Sequence, residues 1–352
     1  MGSHVRELRH DDARIRRKAV VAARELMGAP EKLVQCIAAG VTPALIALLQ
    51  LLLRRETGLR DFLQYGGLAP LLGLVAVGSP AAVRDEAYGA LQEACRFECG
   101  RTAVAAHKGA LAALVARARQ EEPARAPLAL AVLHACTQVR NSESTLGQLI
   151  YNASAVPMLA ELLATQTQPA AVREAAAQLL AALCSTRAEA ISQAVSAGCV
   201  PRLVEMLALL EGQQPGESTA AAASALVNIT MAKEGKVAFK EAGGVSSLSS
   251  LVRSALLPDE GGSPGPCKGH SCSQGRAGQL PCLLLHLAAN VAELPECRTQ
   301  MLQGGAAEAV KRLAAQEQQL LAGHGRSSEA SVATGKAAAD ALRALGFAHW
   351  PQ

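Results

Sequence analysis

Apolar residues return every three or four positions through most of this chain, and polar breaks interrupt them at regular intervals. Between Ala175 and Leu183 the pattern is that of one amphipathic helix. A break at Ser185-Thr-Arg-Ala-Glu follows. A short helix over 190–197 then stops at Gly198, which suits a left-handed C-cap. Val200-Pro201 opens a last helix running through Leu209. The unit so read holds three helices, of short, short, long type.

The pattern repeats. Gly40-Val-Thr-Pro-Ala-Leu returns as Gly67-Leu-Ala-Pro-Leu-Leu, Gly109-Ala-Leu-Ala-Ala-Leu, Ser154-Ala-Val-Pro-Met-Leu and Gly198-Cys-Val-Pro-Arg-Leu. Gly243-Gly-Val-Ser-Ser-Leu and Gly304-Gly-Ala-Ala-Glu-Ala continue the series. The steps from Gly67 through Gly243 are 42, 45, 44 and 45 residues, a period that marks stacked helical units. Pro80-Ala-Ala-Val83-Arg84 is likewise matched by Pro169-Ala-Ala-Val172-Arg173, 89 residues or two periods later. Proline suits the first turn of a helix, and Ser79 is placed to cap it. No single unit can bury its apolar face, so neighbours must share one core. The expected fold is all-α, an α-solenoid of about six to seven repeats with a concave groove for partners.

Two steps break the period. From Gly40 to Gly67 there are only 27 residues, and the Val-Arg helix expected between Leu49 and Arg60 is missing. The pattern predicts one long fused helix over 43–53, a distorted stack and exposed apolar surface there. From Gly243 to Gly304 there are 61 residues, and the excess is a Gly/Ser/Pro-rich stretch. The expected organisation is a repeat array over 4–257 with its second unit truncated near 50–60. A disordered insertion follows over 258–280, then a final unit over 281–323 and a capping helix over 327–349.

Composition narrows the function classes. Half the residues are apolar, 2% are aromatic and the net charge is +4, which gives no concentrated basic face for nucleic acid. The cluster Arg14-Arg16-Arg17-Lys18 reads as the solvated face of a first helix. The longest apolar run, Thr42 to Leu53, is too short to span a bilayer. Most of the ten cysteines fall inside apolar helical phrases, as small hydrophobes, and with no signal peptide the expectation is a reduced intracellular compartment. Cys267, His270 and Cys272 have soft-ligand chemistry, but their spacing matches no familiar zinc site and disorder is the reading adopted. No phosphate loop or nucleophile elbow is found. His10-Asp11-Asp12 reads as a helix cap, and His107, His134 and His286 as structural residues. No catalytic residue, cofactor, metal or small-molecule substrate is expected.

The phrases Ala197-Gly198-Cys-Val-Pro-Arg-Leu-Val-Glu-Met-Leu and Ala222-Ala-Ser-Ala-Leu-Val-Asn228-Ile-Thr closely resemble the armadillo repeat, over roughly 6–257 and 281–322. Val83-Arg84, Val172-Arg173 and Ile15-Arg16 are features that armadillo and HEAT units share; such an Arg ties adjacent helix ends. The importin branch carries an Asn ladder interleaved with Trp on its groove helices. At the matching positions this chain has Asn228 and Asn290 but Glu93 and Ala182, and its one Trp is Trp350. Asn228, Asn290 and Glu93 are the candidate partner-binding residues. A closer likeness is carried by the first unit, from Leu8 to Gly40, and by Ala225-Leu-Val-Asn-Ile-Thr-Met-Ala-Lys-Glu-Gly235 and Leu287-Ala-Ala-Asn-Val-Ala-Glu-Leu-Pro-Glu-Cys-Arg298. These units, and their order, resemble the armadillo-type radial spoke protein 14 family, also called the rhabdoid tumour deletion region family. That resemblance implies a non-enzymatic scaffold of the ciliary or flagellar axoneme, bound to other radial spoke or axonemal proteins. The rival reading is a soluble adaptor or transport receptor that holds extended peptides in its groove.

Overall fold

Helices account for the regular structure in a computed structural model that describes residues 6–27, 40–75, 79–139, 149, 153–164, 168–185, 187–208, 217–256, 279–323 and 329–346. No strand occurs among the described residues. The contacts divide the chain into two compact units, Met1–Ser154 and Ala155–Gln352. The Cys267–His270–Cys272 cluster, Trp350 and nearly all of the Gly/Ser/Pro insertion lie outside the described residues.

The first unit holds α1 (Ala13–Met27), α2 (Val41–Leu53), α3 (Glu56–Gln64), α4 (Leu68–Leu74), α5 (Ala81–Cys95), α6 (Glu98–Ala106), α7 (Ala110–Gln120) and α8 (Ala126–Thr137). Asp12 caps α1, its Oδ1 accepting the backbone N–H of Arg14 at 2.7 Å. Helices α6, α7 and α8 form one complete triplet, in which α8 packs on both others and stacks on α5 of the triplet before. Its buried face is Ala129, Leu130, Leu133 and Cys136, at the three- and four-residue spacing of one helix side.

The second unit holds α9 (Ala155–Leu162), α10 (Ala170–Cys184), α11 (Ala188–Ser196), α12 (Cys199–Ala208), α13 (Glu217–Ile229), α14 (Lys233–Glu241), α15 (Gly244–Leu256), α16 (Leu280–Val291), α17 (Pro295–Gln303), α18 (Ala306–Gly323) and α19 (Glu329–Ala344). Helix α13 stacks on α10, α16 on α13 and α19 on α16. These helices meet through alanine. Ala220, Ala221, Ala222, Ala223 and Ala225 of α13 are all buried, and such small side chains let helix axes approach closely. Helix α19 also packs on α18, so it closes the triplet α17–α18–α19 as its third helix.

The order of helices within a unit differs from the sequence reading in phase. Lengths of 9, 10 and 13 residues in α11, α12 and α13 follow the short, short, long order when the unit starts after the polar break. The Val-Arg helix, α10 at 15 residues, closes the preceding triplet instead of opening one. Proline also stands one position earlier than expected. Pro80 and Pro169 are the N-cap residues of α5 and α10, without a side-chain cap bond at either.

Each middle helix of a triplet starts behind a left-handed residue. Gly109, Gly198 and Gly243 have φ of 78°, 72° and 73°, a region that costs an L side chain about 1–2 kcal/mol. Ser154 takes the same place with φ 50° and is the one non-glycine of positive φ among the described residues. At the pairs Gly66-Gly67 and Gly304-Gly305 the left-handed residues are Gly66 and Gly305, a residue away from Gly67 and Gly304 of the repeated phrase.

At the short step, α2 runs unbroken from Val41 to Leu53 and α3 begins at Glu56. Helix α2 begins behind left-handed Gly40, as a middle helix does, yet it stacks on α5, as a third helix does. Gln50 Nε2 donates to Glu86 O and to Glu86 Oε2, both at 2.9 Å. Gly89 makes room for this contact, since a Cβ there would lie 2.6 Å from Gln50 Nε2. The apolar surface left over is Leu51 and Leu52, 46% and 49% exposed.

Candidate protein-binding surface

The three candidate residues fall on third helices. Asn228 is on α13, and its Nδ2 donates to Ala181 O of α10 at 2.8 Å. Asn290 is on α16, and its Nδ2 donates to Val227 O of α13 at 3.0 Å. Both rungs join an amide to the carbonyl of the residue one step before the matching position on the previous helix. Asn290 Nδ2 also reaches Thr230 Oγ1 at 3.2 Å. Asn228 and Asn290 thus share one surface across adjacent stacked helices, with their donors engaged by the stack itself. Glu93, in the first unit, pairs with Arg96 at 3.0 Å and faces Arg54 at 3.6 Å. Two Gln residues act as rungs there. Gln50 bridges α2 to α5, and Gln92 Nε2 donates to Leu128 O of α8 at 3.4 Å.

The Val-Arg arginines tie helices together in one unit and are left short of partners in the other. Arg84 bonds the Ser79 carbonyl and forms an ion pair at 2.8 Å with Glu121, whose side chain is fully buried at the end of α7. Arg117 pairs with the other Glu121 oxygen at 2.7 Å, and Tyr88 OH donates to it at 3.2 Å. Burial alone raises the Glu121 pKa, but hydrogen bonds and charge from Arg84 and Arg117 outweigh it and hold the carboxyl below its ordinary value. Burial, reinforced by that carboxylate, pushes Tyr88 up to about 12. At Arg173 of α10, Nε and Nη1 are buried with no hydrogen-bond partner.

Five of the cysteines sit in the apolar setting that their helical phrases suggest. Cys95, Cys136, Cys184, Cys199 and Cys297 are free and buried. Burial pushes Cys199 up to about 12 and raises Cys184 further, so both stay as thiols at neutral pH. No cluster of three metal-ligating side chains, and no helix long and apolar enough to cross a membrane, occurs among the described residues.

A groove in the second unit was not anticipated from the sequence. It runs between the first helices α11 and α14. One end is a cavity of about 340 Å³ lined by Ile191, Asn228 and the 69%-exposed Met231. Beyond Ala232 it opens into a wider trough of about 650 Å³ lined by Val195, Val237 and Ala238. The legible signal is Val237, an apolar residue on a helix where five of nine residues are charged, Lys233-Glu-Gly-Lys-Val-Ala-Phe-Lys-Glu241.

Stacked helical triplets closed by an Ala-rich third helix define an armadillo-repeat fold. A designed armadillo repeat protein superposes on 79% of this chain and 99% of its own length, with a TM-score of 0.57 and 21% identity. Another, crystallised with the peptide (KR)4, covers 78% of this chain and 98% of itself at a TM-score of 0.55 and 20% identity. At these identities the likeness is one of fold alone. In sequence the chain is similar to radial spoke protein 14 of Chlamydomonas reinhardtii, 44% identical over 225 residues, or 57% of each chain. The matched region is therefore little more than half the length of that relative. No family model matches the chain.

Proposed function

We propose that this protein is a non-catalytic scaffold of the radial spoke, seated in the axoneme of a motile cilium or flagellum and holding other spoke proteins. The observation that carries the reading is the 44% identity to a radial spoke protein, on a chain folded as stacked armadillo triplets. Such stacks present long surfaces to partners without needing a pocket for chemistry. The disposition of ionisable groups supports the same view. Glu121, the most buried carboxylate described, is committed to Arg84, Arg117 and Tyr88, and its lowered pKa is the reverse of what a general acid needs. Asn228, Asn290 and Glu93 take a place in this proposal as part of the partner-facing surface.

The test is fractionation of ciliated cells carrying the tagged full chain. A spoke component stays with detergent-extracted axonemes, leaves only in strong salt, and cross-links to other spoke proteins identified by mass spectrometry. Release with the detergent-soluble matrix would overturn the proposal and favour a soluble adaptor.

A further inference from the structure

The groove between α11 and α14 has features that select an occupant. On α11, Ala188, Ile191 and Val195 follow one another at i, i+3 and i+7 and line its length. On α14, Glu234, Val237, Ala238 and Glu241 do the same at i, i+3, i+4 and i+7. Two such rows leave a furrow whose ridges match the side-chain rows of a third helix. Helix α14 has nine residues, so the furrow is about 13 Å long, or roughly two and a half helical turns.

The two flanks of α14 differ. Toward α16 and α17 it is closed by ion pairs, Lys236 with Glu293 and Lys240 with Glu296. Toward α11, Ser192 Oγ donates to Glu234 Oε1 at 2.6 Å. Between these two helices Val237 stays 37% exposed. The remaining charges at the furrow are Arg187 at the N-terminal end of α11, exposed Lys233 at the N-terminal end of α14 and exposed Glu241 at its C-terminal end.

We propose that this furrow binds a short amphipathic helix of a partner protein, with an acidic side chain at Lys233 and a basic one at Glu241. The proposal rests on the scaffold reading and deepens it by naming the kind of segment held. An apolar ridge of the partner fills the trough against Val195 and Val237, and the two end charges fix its polarity. An extended peptide would leave the i, i+3, i+7 rows unmatched.

The probe is a fluorescent 14-residue synthetic helix with Leu on one face, Glu at one end and Lys at the other, titrated against the full chain by anisotropy. The expected result is saturable binding that Val237→Glu weakens at least tenfold, with circular dichroism and melting unchanged. The double variant Lys233→Glu/Glu241→Lys is expected to prefer the charge-swapped peptide by at least fivefold. A proline-interrupted version of the peptide is expected to bind at least tenfold more weakly. Equal binding of the proline version, no effect of Val237→Glu, or indifference to charge order each overturns the proposal. So does self-association of the full chain, by sedimentation, that Val237→Glu abolishes, because a second copy is then the occupant. If the wild-type chain stays on axonemes while the peptide fails to bind, the furrow proposal fails and the scaffold reading stands. If the wild-type chain washes off, it is the scaffold reading that fails.

Discussion

The α2–α5 contact and the α10–α13 contact solve the same stacking problem with different means. At α10–α13 two full-length third helices meet, and Asn228 of one bonds Ala181 O of the other. At α2–α5 one side has no third helix, and α2 serves as both middle and third helix of its unit. The exit from α2 shows how fully it takes the second role. In complete units the first helix of the next triplet crosses the carbonyl six residues back, so that a Cβ on Gly100 would lie 2.0 Å from Ala94 O and one on Gly235 2.0 Å from Ile229 O. A Cβ on Gly58 would lie 2.5 Å from Leu52 O, at the same offset. A missing helix thus need not break a solenoid when the helix before it can reach the neighbour. What the substitution leaves behind is the half-exposed pair Leu51 and Leu52.

The largest expected effect breaks that equivalence directly. Gly235→Val places side-chain atoms against a backbone carbonyl that cannot swing away, and is expected to destabilise the chain by about 3 kcal/mol or more despite the better helix propensity of Val. Gly58→Val should cost about 2–3 kcal/mol by the same mechanism, because the fused junction is slightly more open. Urea unfolding followed by circular dichroism measures both. A Gly58 variant as stable as wild type would show that α2 does not act as a third helix.

Next comes the ion cluster just beyond the shortened unit. Glu121→Gln removes the charge shared by Arg84 and Arg117 and leaves two guanidinium groups under-compensated, at an expected cost of about 3 kcal/mol. The pH dependence follows in sign. Glu121 has a lowered pKa when folded, so its contribution is present above the unfolded carboxylate pKa and is lost as pH falls through the folded value. Tyr88, raised to about 12, contributes fully below pH 10 and loses that contribution as pH rises through 12. Unfolding curves of Glu121→Gln should therefore show a shallower acid-side slope than those of wild type. The corresponding arginine in the second unit, Arg173, lacks such a partner at Nε and Nη1, so Arg173→Met is expected to cost less than Arg84→Met.

Gly89 sharpens the comparison further. The matching residue of α10 is Gln178, and Gly89→Gln tests whether α5 needs an open place for Gln50. The new Cβ meets the far end of a flexible side chain and not backbone, so a moderate loss of about 1–2 kcal/mol is expected as the two Gln50 bonds are displaced. A gain in stability, as helix propensity alone would give, would contradict the packing described.

Much of this fold was legible from residues alone, because period and phrase report packing that every unit must repeat. The helix phrases, the left-handed place of Gly198 and the cap at Asp12 each follow from local chemistry. The phase of the triplet is not legible in the sequence, because α10 and α11 are separated by a polar break much like those inside a unit, and stacking partners are set by contacts about forty residues away. Sequence spacing could not show that Gln50 reaches Glu86, or that Gly89 is the space it needs. The candidate surface was less legible still. Asn228 and Asn290 were found by position, but their donors turn out to be used between helices. The α11–α14 furrow depends on which side of α14 its lysines take. Lys236 and Lys240 face Glu293 and Glu296, and nothing in a run of alternating charge announces that choice.

The asparagine rungs give the smallest effects, and set beside Gln50 they give the finest comparison of the two kinds of junction. Asn228→Ala removes one part-buried hydrogen bond and leaves Ala181 O at a helix end where its own ladder partner, Ser185 N–H, remains in place at 3.0 Å. The carbonyl is thus not orphaned, and the expected loss is about 1 kcal/mol, partly offset by the higher helix propensity of Ala. Asn290→Ala removes bonds to both Val227 O and Thr230 Oγ1 and should cost slightly more, about 1–1.5 kcal/mol. Gln50→Ala removes two bonds to Glu86 and also opens the space above Gly89, where no Cβ fills the gap. Its expected cost is about 2 kcal/mol, the largest of the three, because the shortened junction has no second helix to share the contact. If the three losses come out equal, the fused helix is held by its apolar face alone and the amide contact at α2–α5 is only an ordinary rung. If Gln50→Ala stands apart, the fused junction depends on that side chain in a way the regular stack does not depend on its asparagines.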